Sequence, residues 1–203
     1  MRCQLDRPLQ VYNWLKTKQP CLLCEQRTTA EHPLCSDCET ELPWLGPHCQ
    51  TCAIPLPASG LTCGACMRRP PSFERVEVPW RYAFPIDSLI TRFKHQARWP
   101  LGRLLGDLLA QHLSHAFDEG LPRPDYLLPV PLAKQRLRQR GFNQAEMLAD
   151  WLSKTLALPV ASHWLLRPLD TPAQQGLNAA TRKRNLRKAF TVLPCATIKG
   201  KHL

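Results

Sequence analysis

Apolar residues along the chain recur with two different periods. In ERVEVPWRYAF (74–84), Val76, Val78, Trp80, Tyr82 and Phe84 alternate with mostly polar neighbours, the rhythm of a half-buried strand, and Pro79 predicts an edge position. The period then lengthens. IDSLITRFKHQARW (86–99) reads as a short helix broken at Pro100, and Leu101, Leu104, Leu105, Leu108, Leu109 and Ala116 form one apolar helical face. DYLLPVPL (125–132) reads as a short buried strand and residues 133–142 as a basic loop. A helix follows, with Asn143 as N-cap and Glu146 completing a capping box. Ala145, Leu148, Trp151, Leu152 and Leu156 line its buried face, and LPVASHWLL (158–166) predicts the next strand. Strand, helix and strand joined by a short crossover imply an α/β fold with a parallel sheet.

Neither period holds before residue 73, where large apolar residues are few and cysteines take their place. Cys21, Cys24, Cys35, Cys38, Cys49, Cys52, Cys63 and Cys66 make four CxxC pairs, each starting 14 residues after the last. Two thiolates separated by two residues can wrap one tetrahedral ion, and two such pairs complete a four-sulfur shell. Eight ligands therefore predict two Zn2+ ions, to which the geometry is better suited than to iron–sulfur clusters. The pairing is open: first pair with second and third with fourth, or a cross-braced arrangement. All four positions of each ion are filled by sulfur, so the metal is structural, with a contribution to folding on the order of 10 kcal/mol per site. His32 and His48 read as surface residues, and Cys3 and Cys195 lie outside the repeat.

The formal net charge of +11 is concentrated in one region. Residues 1–121 carry 13 Lys/Arg against 12 Asp/Glu, whereas residues 122–203 carry 14 against 4. An anionic partner for the C-terminal part is the physical implication: phosphate, nucleotide or nucleic acid. Arg136, Arg138 and Arg140 stand just before Gly141 and the N-terminus of a helix, where free N–H groups, the helix dipole and guanidinium groups favour an anion. The N-terminal stretch lacks the apolar run of a secretory signal, no segment approaches the length of a membrane span, and reduced thiols fit a cytoplasmic protein.

With these residues in view, the chain resembles the ComF/GntX family, whose members join a double zinc ribbon to a type I phosphoribosyltransferase-like domain. The likeness rests on the four CxxC pairs, RFK (92–94), LLPVPLAKQRLRQRGFNQAEMLA (127–149) and TPAQQGLNAATRKRNLRKAF (171–190). It implies an N-terminal helical segment over 1–20, the ribbons over 21–72 and the transferase-like domain over 73–203. It also implies that the loop after the first core strand receives the pyrophosphate of phosphoribosyl pyrophosphate (PRPP), bound with Mg2+. That role falls on Arg138, Arg140 and Gly141, beside Arg136 of the same basic loop, while Lys94, Gln174, Arg182 and Asn185 match further family positions. The family pattern continues with a strand, two adjacent acidic residues and a Thr/Gly-rich phosphate loop. Here the sequence runs to IKGKHL (198–203) without them. The expectation is a transferase-like domain incomplete at its C-terminus, with no measurable transfer by this polypeptide. The resemblance further links the chain to nucleotide metabolism, to competence and the use of external DNA, and to a DNA-uptake machinery as partner. A second reading is non-enzymatic: a zinc-ribbon protein gripping single-stranded DNA through RKRNLRK (182–188), with Trp99, Trp151 and Trp164 stacking on bases where exposed.

Overall fold

The structure, a computed structural model, describes residues 19–171, 176–194 and 198–203. The expected N-terminal helical segment, Cys3, Gln174 and Cys195 lie outside these, apart from residues 19 and 20.

The chain begins with two ribbons built alike. In the first, β1 (Gln19–Pro20) pairs antiparallel with β2 (Arg27–Thr28), and α1 (Ser36–Thr40) follows. In the second, a single antiparallel bridge joins His48 to Pro55, and α2 (Gly64–Arg68) follows. Cys21 and Cys49, 28 positions apart, make equivalent contacts. Each heads a turn closed by the N–H four residues on: Glu25 N to Cys21 O at 2.9 Å, and Ala53 N to Cys49 O at 3.0 Å. Glu25 and Ala53 close these turns in left-handed conformation, with φ of 65° and 58°.

The apolar rows fold as helices. Helix α3 (Ile86–Gln96) ends at Ala97 in left-handed conformation, and α4 (Trp99–Asp118) starts with Pro100 in its first turn. Pro100 thus opens the second helix rather than breaking the first, because its missing N–H has no partner to lose there. Helices α3 and α4 approach closely at Gly102, where a Cβ would stand 2.5 Å from the Phe93 ring. Leu101, Leu104, Leu105 and Leu108 of α4 and Ile86 and Leu89 of α3 share one core with Cys21, Leu34, Cys35 and Leu42 of the first ribbon. The first ribbon is therefore packed into the helical body across residue 72. A second cluster joins Ala110 to Leu152, Leu156 and Leu158.

Residues 133–142 are not a loop: Lys134–Arg140 form helix α5, closed by Gly141 at φ +83°. Each residue from Lys134 to Arg140 is a good helix former, but the segment carries no apolar stripe to signal a helix. Helix α6 (Gln144–Leu156) follows, and Asn143 is its N-cap as expected, accepting from Ala145 N.

The expected parallel sheet does not form among the described residues. Residues 74–84 make no strand: Trp80 bridges Trp44, while Tyr82 and Phe84 lie 73% and 79% exposed. Residues 125–132 give one parallel bridge, Leu127 to Val160, flanked by Leu127 N to Pro159 O at 2.8 Å and Ala161 N to Leu127 O at 2.9 Å. Pro129 and Pro131 have no N–H with which to extend it. Within 158–166 only β3 (Leu165–Leu166) is a strand, antiparallel to β4 (Thr191–Val192) beyond helix α7 (Ala179–Leu186). The described fold is thus mixed helix and sheet, with two small antiparallel ladders. No helix among the described residues is long and apolar enough to cross a membrane.

Candidate metal centres and basic cleft

The eight cysteines gather as two groups of four: Cys21, Cys24, Cys35 and Cys38, and Cys49, Cys52, Cys63 and Cys66, with the sulfurs of each group within 4.8 Å of one another. The pairing left open by spacing is therefore the local one. The Cys24 and Cys35 sulfurs are 3.6 Å apart, and those of Cys52 and Cys63 are 3.8 Å apart. Disulfides would need about 2 Å. A tetrahedral ion with Zn–S of about 2.3 Å places its sulfurs about 3.8 Å apart, so the sites fit Zn2+.

Backbone donors prepare them. Cys63 N donates to Cys49 Sγ at 3.2 Å and Cys66 N to Cys63 Sγ at 3.5 Å. Backbone N–H groups of Cys63 and Cys52 hold the Cys49 thiol down to about 6. Burial pushes Cys21 up, but N–H groups of Cys24, Cys35 and Leu23 outweigh it and bring it down to about 6. Burial and the neighbouring cysteines push Cys66 up to about 12. Four sulfurs so crowded release their protons together only to a cation. With sulfur at every position no water or substrate could bind the metal, which would hold the ribbons and do no chemistry.

The second site lies where the C-terminal end of α3 faces α5. A cavity of about 330 Å3 is lined by Lys94, His95, Gln96 and Ala97 on one side and by Arg136, Gln139, Arg140 and Phe142 on the other. A second lobe of about 510 Å3 shares Lys94, His95, Arg136, Gln139 and Arg140 and extends to Arg167, Asp170 and Thr171. Helix geometry explains the selection. Arg136 and Arg140 are four residues apart and share one face of α5, whereas Arg138, two residues from each, is exposed and outside both linings.

Arg140 Nη1 donates to Gln144 Oε1 at 2.5 Å. Asn143, only 9% exposed, caps α6 and donates from Nδ2 to Val130 O at 3.2 Å, pinning the junction of the two helices. Among the described residues, Lys94, Arg136 and Arg140 make no ion pair within 4.0 Å. Asp170, the one carboxylate in the lining, accepts from Gln135 N at 3.3 Å.

The cations therefore act on one another. Burial and then the positive charges of Arg140 and Arg136 hold Lys94 below the usual lysine range. Burial and Arg136 do the same to Arg140. His95, an exposed residue, is held down by partial loss of solvent at the cleft wall, then by Arg140, Lys94 and Arg136. Among the described residues no carboxylate pairs with these cations, so the concave surface they line is strongly positive.

Of the residues expected at a phosphate site, the structure brings Lys94, Arg136 and Arg140 together. Gly141 closes α5 without lining the cavity, and Arg182 is exposed on α7, outside both lobes. Asn185 is half-buried on the same helix. His95, Gln139 and Arg167 were not anticipated. Gln139, three residues after Arg136, would have been suggested by a helical reading of 134–140.

Residues 13–67 match the double zinc ribbon domain family. The chain is 34% identical to DNA utilization protein YhgH of Shigella flexneri, over 99% of this chain and 81% of that protein. The figures are the same for DNA utilization protein YhgH of Escherichia coli K12: 34%, 99% and 81%. It is 33% identical to competence protein F of Haemophilus influenzae, over 80% of this chain and 71% of that protein. No solved structure matches.

Proposed function

We propose, from the premise that the chain belongs to the family of competence protein F and DNA utilization protein YhgH, that it serves DNA uptake or utilisation through a cleft that binds a phosphorylated ribose, PRPP being the ligand the sequence resemblance suggests. One observation carries this reading: Lys94, Arg136 and Arg140 converge on one cavity, and among the described residues no carboxylate is paired to them. Such donors are worth most against an anion that carries charge on several oxygens, as a pyrophosphate does, and two guanidinium groups one turn apart can each grip it bidentately. The ribbons are tied by their cysteines over residues 21–66 and supply no reactive group. The transferase-like assignment of the domain, and Mg2+ accompanying the ligand, belong to the same proposal. Calorimetric titration with PRPP tests it. Binding that strengthens with Mg2+ and falls at least tenfold in Arg140→Ala supports the reading, and absence of binding to the zinc-loaded chain removes it.

A second reading has its own observation. Arg182, Lys183, Arg184, Arg187 and Lys188 are all exposed along and just beyond α7. A solvent-facing basic run of this kind suits a nucleic-acid backbone, with affinity that drops steeply with salt. Single-stranded DNA binding that disappears on neutralising Arg182, Lys183 and Arg184, yet survives Arg140→Ala, would favour it.

A further inference from the structure

The cleft ends beside an aromatic surface that phosphate binding does not use. Ala97, in left-handed conformation, lines the cavity, and two residues later Trp99 opens α4 while remaining 53% exposed. Its ring meets Phe142, centroids 6.2 Å apart with the planes at 65°. Phe142 is itself a wall of the cavity and packs on Phe93 at 5.6 Å, with Trp151 behind Phe93 at 6.1 Å. Trp99 is thus the most exposed member of an aromatic cluster whose next member, Phe142, is in the cleft. Tyr82 and Phe84, more exposed still, precede α3, whose 11 residues place them about 16 Å along the helix from the cleft, and the exposed Trp44 and Phe73 line neither lobe.

Leaving half an indole in water forgoes burial, and a flat apolar face next to a cluster of cations is what a nucleotide requires: a surface for the base and charge for the phosphate. The amides of Gln96 and Gln139 in the same lining add hydrogen-bonding groups between the two.

We infer that Trp99 is a base-stacking platform at the lip of the cleft, so that the ligand is a nucleotide unit, with its phosphates on Lys94, Arg136 and Arg140 and its base on the Trp99 ring. This rests on the anion-binding reading of the cleft and adds the chemical class of what is bound. A free nucleotide and the phosphorylated end of a DNA strand share this chemistry.

The test titrates the zinc-loaded full chain with inorganic pyrophosphate, with ADP, and with short oligothymidylates bearing a 5′-phosphate or a 5′-hydroxyl. ADP is expected to bind roughly 5- to 150-fold more tightly than pyrophosphate, the range that stacking one base supplies. Trp99→Ala should erase that margin and leave pyrophosphate binding as it was, and Trp99→Phe should retain most of it. The same margin for the 5′-phosphorylated strand alone would identify a strand end as the ligand, and its restriction to ADP a free nucleotide; either supports the inference. If Trp99→Ala binds ADP as tightly as the unaltered chain does, the platform is overturned while the phosphate cleft stands. If the unaltered chain binds neither pyrophosphate nor ADP, the cleft reading and the platform fall together.

Discussion

Arg140 donates to Gln144 across the junction of α5 and α6, Nη1 to Oε1 at 2.5 Å, and this one bond aims its guanidinium along the wall of the cleft. Arg138, two residues away on the same helix, has no such tether and faces solvent. Three arginines that alternate in sequence are thus separated by a helix into two with a site and one without. Replacing Arg138 with alanine should leave pyrophosphate affinity within about twofold, since surface charges act weakly through water. Gln144→Ala should weaken it several-fold by freeing Arg140, with less effect than Arg140→Ala. Calorimetry on the three variants checks the order, and an Arg138 effect as large as that of Arg140 would mean the segment does not act as a helix.

His95 sets a dependence on pH. Its proton affinity in the folded chain is held below the usual 6.5 by partial loss of solvent and by Arg140, Lys94 and Arg136. The unfolded chain therefore binds a proton at this position before the folded one does. As pH falls through 6.5 the unfolded state gains the proton first, so stability is lost toward acid until the folded histidine also titrates. Melting temperature between pH 7 and pH 5 should fall less steeply in His95→Gln than in the unaltered chain. Saturating phosphate should flatten the unaltered curve in the same way, by neutralising the cations around the ring.

The two metal sites should differ in consequence. Cys21 and Cys35 are part of the core that holds Leu89, Leu101, Leu104 and Leu108, whereas the second ribbon contributes none of that core's buried residues. Cys21→Ser should reduce zinc from two ions to one per chain and cost helical circular dichroism and melting temperature together. Cys49→Ser should lose one ion and leave the α3–α4 helices largely folded. Equal losses would show that the ribbons stand or fall as one unit.

Gly102 marks the closest approach of α3 and α4, with the Phe93 ring where a methyl group would stand, 2.5 Å away. Gly102→Ala should cost about 1–3 kcal/mol, the usual penalty for an overfilled core, read as a lower denaturation midpoint. It should also disturb the cleft, since Phe93 supports Phe142.

What the sequence made legible follows from which physical signal each element carries. The 14-residue cysteine step announced two four-sulfur sites, although only folding could choose the local pairing. Helices α3, α4 and α6 showed in their apolar period. Helix α5 did not, because it has no buried residue and is held by propensity and by its Gly141 cap. Strands were expected wherever apolar residues clustered, but Pro79, Pro129 and Pro131 withhold the N–H groups that ladders need. At the cleft, Arg136 and Arg140 were found by residue type and Lys94 by the resemblance of RFK (92–94). His95 was missed because only the left-handed turn at Ala97 and the helical face of Arg136 and Arg140 reveal what surrounds it.

If Lys94, Arg136 and Arg140, unpaired among the described residues, make the α3–α5 cleft an anion site, inorganic pyrophosphate titrated into the zinc-loaded chain should bind there. Saturable binding at one site per chain is expected, weakened at least tenfold when Arg136 and Arg140 are both replaced by alanine while the melt shows a folded protein. Binding that is indifferent to both substitutions, or no binding at all, would contradict it.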